Sequence, residues 1–313
     1  MISIPTGGRK LFLKSHFAWF FVGALGERLF AKWDTPPLLS ARDTVTVVRY
    51  QLIAFDLDDT LAPSKGSLPA PMSKSLANLV KQVPISIISG GRFAQFQSQL
   101  LDGLELPSDL LERLHLMPTC GTRYYRFIDS QWTCVYAHDL TDEEKEQAIS
   151  SLTQHAKELN LWESQTWGPV IEDRQSQITF SALGQSAPID AKRAWDPDGS
   201  KKARLVEAVA TDLPSLEVRG GGSTSVDITA KGVDKAYGMN MLCEVTGIAK
   251  EDMLFIGDRL DERGNDYPVK AAGWATLATK GWEDTVDIIQ KLLEGKDGDE
   301  YALRAVRQTR PTQ

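Results

Sequence analysis

A mostly apolar stretch, Gln51 to Phe55, runs straight into Asp56-Leu57-Asp58-Asp59-Thr60-Leu61. A short apolar run closed by carboxylates and threonine reads as a buried parallel strand that ends in a functional loop. Two acids two positions apart, just past such a strand, can point into one crevice. There they can share a hard cation such as Mg2+ while one of them attacks an electrophile. The alternative is an Asp-rich turn that caps the next helix; the apolar residues before the motif and the Asp-Thr-Leu within it weigh against that.

The pattern around this motif repeats. Met72 to Lys81 is helical in spacing, Ile85 to Ile88 is again apolar, and Ser89-Gly90-Gly91 leads into a second helix that ends near Leu101. This β-α-β-α order predicts parallel strands with crossover helices, whose carboxyl ends collect ligands. The same texture returns late, with a helix from Asp234 to Val245, a strand Met253 to Ile256 and a helix Glu283 to Leu293. Between the two halves, Tyr124 to Tyr136, Ile171 to Leu183 and Leu216 to Thr229 are strand-like. Thr141 to Leu159 and Lys201 to Ala210 are amphipathic, and Arg193 to Lys201, with Pro197 and Gly199, reads as a loop. The expected fold class is α/β, a doubly wound parallel-sheet core with an inserted α+β domain. The expected boundaries are an extension at 1–44, a core of 45–123 plus 233–293, an inserted domain at 124–232 and a polar tail at 294–313.

The 313 residues are enough for two packing units. A net charge of −7 argues against nucleic acid and anionic membranes as partners, so any positive charge for phosphate must be concentrated locally. Cys120, Cys134 and Cys243 have no zinc spacing and cannot all pair internally, which fits a reducing cytoplasm. Near the start, Phe17 to Gly26 follows basic residues and loosely imitates a signal peptide, but it is too short to span a bilayer. The stretch is expected to be a loosely held extension or residues from an upstream start, with folded chain beginning near Val45.

Three further positions carry chemistry. Ser89, with Gly90 after it, stands directly behind the strand Ile85 to Ile88, where a hydroxyl and open backbone amides can hold a phosphoryl oxygen; ordinary turn chemistry is the competing reading. Lys235, in Gly232-Val233-Asp234-Lys235-Ala236, can neutralise a carboxylate carrying a phosphoryl group, with Lys231 as the competing lysine. Asp258, just past the strand Met253 to Ile256, is the first choice to close a Mg2+ site with Asp56 and Asp58. Asn265 and Asp266 can return to that site through the loop, whereas Asp261 and Glu262 read as solvated charges.

In order and placement these motifs resemble those of the haloacid dehalogenase (HAD) superfamily, branch IIB, over roughly Leu52 to Leu293. The resemblance implies Asp56 as nucleophile, Asp58 as general acid/base, Ser89 and Lys235 as catalytic partners, Mg2+ as cofactor and a C2-type cap as the inserted domain. The cap resembles that of eukaryotic-type phosphomannomutases in Ile171-Glu172-Asp173-Arg174, in Ile178 to Gly184 and in Arg219 to Asp227. By that likeness Arg174 binds substrate phosphate, and Ser225 and Asp227 contact a sugar. The pattern departs at Gln185, where the family has arginine; a further family arginine falls at Lys192 or Arg193.

The expected activity is therefore Mg2+-dependent hydrolysis of a phosphate monoester, a sugar phosphate by preference, with a homodimer left open. Glutamine cannot replace the bidentate grip of arginine on phosphate, so Gln185 favours hydrolysis over the alternative, a hexose-phosphate mutase. A non-catalytic sugar-phosphate-binding module is the alternative of another class.

Overall fold

The computed structural model describes residues 50–294. The expected 1–44 extension, the start of folded chain near Val45 and the polar tail beyond Glu294 lie outside the described residues. In chain order the strands are β1 Leu52–Phe55, β2 Ile85–Ile88, β3 Leu114–Met117, β4 Arg123–Ile128, β5 Gln131–Ala137 and β6 Ile171–Asp173. They continue with β7 Gln177–Ser181, β8 Leu216–Gly220, β9 Ser225–Ala230, β10 Met253–Gly257 and β11 Ala275–Ala278.

Seven of these form one sheet in the order β11-β10-β1-β2-β3-β4-β5, parallel from β11 to β3. β1 is Leu-Ile-Ala-Phe because both its faces are covered. Ile53 and Phe55 pack in a cluster with Leu76 of helix Ala70–Gln82 and Ile289 of helix Trp282–Glu294. Leu52 and Ala54 turn to Met239 and Leu242 of helix Lys235–Thr246. From β1 the chain winds outward through β2 and β3, then returns to β10 on the other side of β1. The strand order therefore reverses at β1 and β10, and their carboxyl ends flank the crevice where open α/β sheets bind ligands.

Sequence texture misplaces one boundary. β4 and β5 form an antiparallel hairpin, as their aromatic and β-branched residues suggest, but β4 pairs with β3 and so extends the core sheet. The expected cap boundary at 124 therefore falls inside the core sheet. Tyr125 of the hairpin stacks on Phe93 at 4.1 Å, which explains its aromatic content as cover for a core helix. Neither β3 nor β11 is anticipated from sequence.

The cap is a four-stranded antiparallel sheet, β6-β7-β9-β8, with helices Asp142–Glu158 and Ser200–Asp212 packed against it. Strand alternation divides its two faces. Ile178, Phe180, Val226 and Ile228 join Leu152 and Leu205 in an apolar cluster, which leaves Gln177, Thr179 and Ser181 of β7 and Ser225 and Asp227 of β9 on the opposite, polar face. The predicted loop Arg193 to Lys201 shrinks to Asp196–Gly199, because Asp196 accepts hydrogen bonds from the backbone of Lys201 and Lys202 at 3.0 and 3.1 Å and so starts the next helix early. Among the described residues no helix is long and apolar enough to cross a membrane. All three cysteines are free.

Candidate active site

At the switch point, the buried Asp56 leaves β1 just as Gly257 and Asp258 leave β10, and Asp56 donates its backbone N–H to the Ile256 carbonyl at 3.0 Å. Lys235 opens helix Lys235–Thr246, whose amino terminus is capped by Asp234 accepting from the Tyr237 amide at 3.0 Å. Its ammonium, 1% exposed, stands 2.6 Å from Asp56 Oδ1 and 2.6 Å from Asp266 Oδ1. The second Asp266 oxygen accepts from the Arg259 amide at 3.0 Å. A Cβ at position 257 would run into the Asp266 carboxylate, so the glycine ahead of Asp258 is what admits Asp266 to the site.

Asp56, Asp258 and Asp266 offer carboxylate oxygens that all lie within 4.8 Å of one another. Burial, with Asp266 adding to it, pushes Asp56 well above the usual carboxylate range despite the opposing pull of Lys235. Burial and then Asp266 also raise Asp258. Burial alone would lower Lys235, but Asp56 and Asp266 outweigh it and hold the ammonium above its ordinary value. Three carboxyl groups share one ammonium, and the raised Asp56 and Asp258 are groups whose ionised form a further cation would favour. That donor set fits a divalent hard cation such as Mg2+. Thr60 steadies the group by donating to Asp258 Oδ1 at 3.4 Å. Of the other expected ligands, Asn265 is exposed, and the Asp58 carboxylate is held elsewhere.

Asp58 accepts from the Lys65 amide at 2.7 Å, from Gln99 Nε2 at 2.9 Å and from Gln95 Nε2 at 3.2 Å. Ser89, buried behind β2, accepts from the Gly91 amide at 3.2 Å through its hydroxyl. The Gly90 carbonyl receives Arg174 Nη1 at 3.0 Å, so the cap arginine already touches the core loop. Arg174 also donates to Glu172 at 2.9 Å through Nε, and Glu172 reaches Arg92 of the core at 3.2 Å.

Across the crevice, Asp227 lies opposite Thr179 in the β7–β9 register and accepts its hydroxyl at 2.8 Å; Gln177 in turn donates to Thr179 at 2.9 Å. Burial raises Asp227, with Arg174 opposing. Ser225 lies on the same face, opposite Ser181. Lys192 donates to the Gln185 backbone carbonyl at 2.8 Å, whereas Arg193 is exposed. Lys65 donates to Gln185 Oε1 at 2.8 Å, which leaves the buried Gln185 Nε2 without a partner.

The sequence reading misses Lys65, Gln95, Gln99, Gln177 and Thr179. Lys65 sits in Pro63-Ser64-Lys65-Gly66 and looks like any solvated lysine, and the glutamines look like polar helix and strand positions. Only the i, i+4 spacing of Gln95 and Gln99 on one helix face could have hinted at joint action.

A family model described as haloacid dehalogenase-like hydrolase matches residues 53–268. The phosphomannomutase of Saccharomyces cerevisiae is 25% identical over 250 residues, 77% of this chain and 93% of that protein. The phosphomannomutase of Encephalitozoon cuniculi is 26% identical over 237 residues, 73% of this chain and 86% of its own. In fold, the chain is similar to the IMP-bound IMP-nucleotidase mutant of Plasmodium falciparum, with a TM-score of 0.59, 16% identity and coverage of 78% of this chain and 68% of that one.

Proposed function

The chain belongs to the haloacid dehalogenase-like hydrolase family, and on that premise we propose that it is a Mg2+-dependent phosphatase acting on a sugar phosphate through an aspartyl-phosphate on Asp56. The observation that carries the reading is the buried Lys235 ammonium, 2.6 Å from Asp56. A cation fixed against one carboxylate at a strand end suits a nucleophile that must accept an anionic phosphoryl group.

In the first step an Asp56 oxygen forms a bond to phosphorus, the ester P–O bond breaks, and the leaving alkoxide takes a proton from Asp58. In the second, water attacks phosphorus and gives its proton to Asp58, and the Asp56–phosphorus bond breaks to release inorganic phosphate. Lys235 neutralises the charge shared by Asp56 and the phosphoryl oxygens, and Ser89 offers its hydroxyl to one of them. Mg2+, held by Asp56, Asp258 and Asp266, would supply Lewis-acid neutralisation of the phosphoryl oxygens.

The polar cap face, with Asp227, Thr179 and Ser225, suits sugar hydroxyls, and Arg174 suits an anionic group. The free thiols accord with a cytoplasmic enzyme. One observation favours a second reading, a hexose-phosphate mutase. Lys65 brings an ammonium to Gln185 where the sequence suggested a lost cation. A lysine is nevertheless a point charge without the guanidinium fork, so hydrolysis stands as the preferred outcome.

The test is a panel of sugar phosphates with Mg2+, followed both for inorganic phosphate and for isomerised sugar phosphate, with and without a hexose bisphosphate activator. Phosphate released faster than any isomer supports the phosphatase. Conversion of a 1-phosphate to a 6-phosphate outrunning phosphate release would establish the mutase instead.

A further inference from the structure

We propose that Gln95 and Gln99 are positioning residues, an amide clamp that fixes where the Asp58 carboxylate stands and thereby governs the proton-transfer steps. The inference rests on the reading of Asp58 as the acid/base of the proposed phosphatase. Both glutamines lie on helix Phe93–Gln99, four residues apart and so on one face. Gln95 Nε2 donates to Asp58 Oδ2 at 3.2 Å and to Gln99 Oε1 at 3.0 Å. Gln99 Nε2 donates to Asp58 Oδ1 at 2.9 Å and to the Pro63 carbonyl at 3.4 Å.

The network sets the direction of both amides. Turning Gln99 around would set its carbonyl oxygen against the carboxylate and its NH2 against that of Gln95; turning Gln95 would set two carbonyls face to face. With the Lys65 amide as third donor, the carboxylate is held on both oxygens by groups that belong to helix Phe93–Gln99 and to the loop after the motif. Among the described residues, none of the hydrogen bonds that hold Asp58 involves Asp56, Lys235, Asp258 or Asp266. The position of Asp58 is thus set separately from that of the nucleophile.

Gly91 fits the same device. A Cβ there would collide with the Gln95 side-chain amide, so the second glycine of Ser89-Gly90-Gly91 is the space that lets Gln95 lie across to Asp58. This gives a role to a residue that the reading of the loop as a phosphoryl cradle leaves unused.

The test separates steps by their need for a proton. An alkyl leaving group must be protonated as it departs, whereas p-nitrophenolate leaves without help. Gln95→Met and Gln99→Met keep chain length and hydrocarbon volume but remove the donor. Each is expected to lower kcat for the best sugar phosphate by about tenfold or more, with KM within about twofold and the first-turnover burst of p-nitrophenolate within about threefold of wild type. Gly91→Ala, which displaces Gln95 without touching either glutamine, is expected to give the same signature and serves if a methionine variant fails to fold. Unchanged kcat in the variants, or an equal fall in burst and sugar phosphate turnover, would overturn the clamp while leaving the phosphatase in place. Absence of phosphate release by the wild type from every ester would remove the phosphatase and the clamp together.

Discussion

Lys65, in the loop behind the Asp56–Leu61 motif, donates through its ammonium to Gln185 Oε1 of the cap at 2.8 Å, while its backbone N–H donates to Asp58 at 2.7 Å. Burial, and after it the nearby Lys192 and Arg174, lower this lysine to about 8. Its charge is therefore full near neutrality and is lost as pH rises through that value, well before an ordinary lysine would titrate. KM for a sugar phosphate is expected to rise about tenfold between about pH 7 and pH 9. In Lys65→Arg it should stay flat, because guanidinium does not deprotonate in this range. Identical pH profiles for the two proteins would show that Lys65 does not meet the substrate.

The buried Lys235 is expected to matter to stability as well as to turnover. Lys235→Met leaves Asp56, Asp258 and Asp266 without an organic cation, and loss of one partner from a buried ion pair costs about 3–5 kcal/mol. The melting temperature should fall, and Mg2+ should restore more of it in the variant than it adds to wild type. Thermal melts with and without Mg2+ check this, and a variant as stable as wild type without the ion would contradict it.

Asp56→Asn keeps the shape of the side chain but makes a poor nucleophile. Turnover is expected to drop below detection with the fold intact by circular dichroism, and chelation of Mg2+ should silence the wild type. Substantial residual activity in the variant would point to another nucleophile.

Gly257→Ala places a methyl group where the Asp266 carboxylate lies. Displacing Asp266 separates it from Lys235 and from the Arg259 amide together. Weaker Mg2+ binding by calorimetry and a large fall in kcat are expected, from a change that adds one carbon.

Arg174→Ala and Asp227→Ala should raise KM for a sugar phosphate far more than for a small aryl phosphate, whose body makes few cap contacts. Equal damage with both substrates would assign these residues to the fold, where Arg174 already bridges Glu172 and the Gly90 carbonyl.

The sequence by itself determined the α/β core and the residues at its strand ends. Those signals are local: an apolar run buried on both faces is continuous, and Asp56, Ser89 and Asp258 each follow one directly, with Lys235 at a helix start. Tertiary structure decided what locality cannot carry. The β4–β5 hairpin has the texture of an antiparallel strand pair in any layer, and only its pairing with β3 puts it in the core. Asp266 and Asn265 are neighbours in sequence, yet burial of one and exposure of the other depend on the turn of the loop past Gly257. Lys65 and Gln185 are 120 positions apart, and no periodicity links a core loop to a cap loop. Gln95 and Gln99 read as solvated helix residues because their partner, Asp58, arrives from the loop after β1. Composition and period report on burial along one element, whereas hydrogen-bond partners across elements are fixed only when the sheet order brings them together.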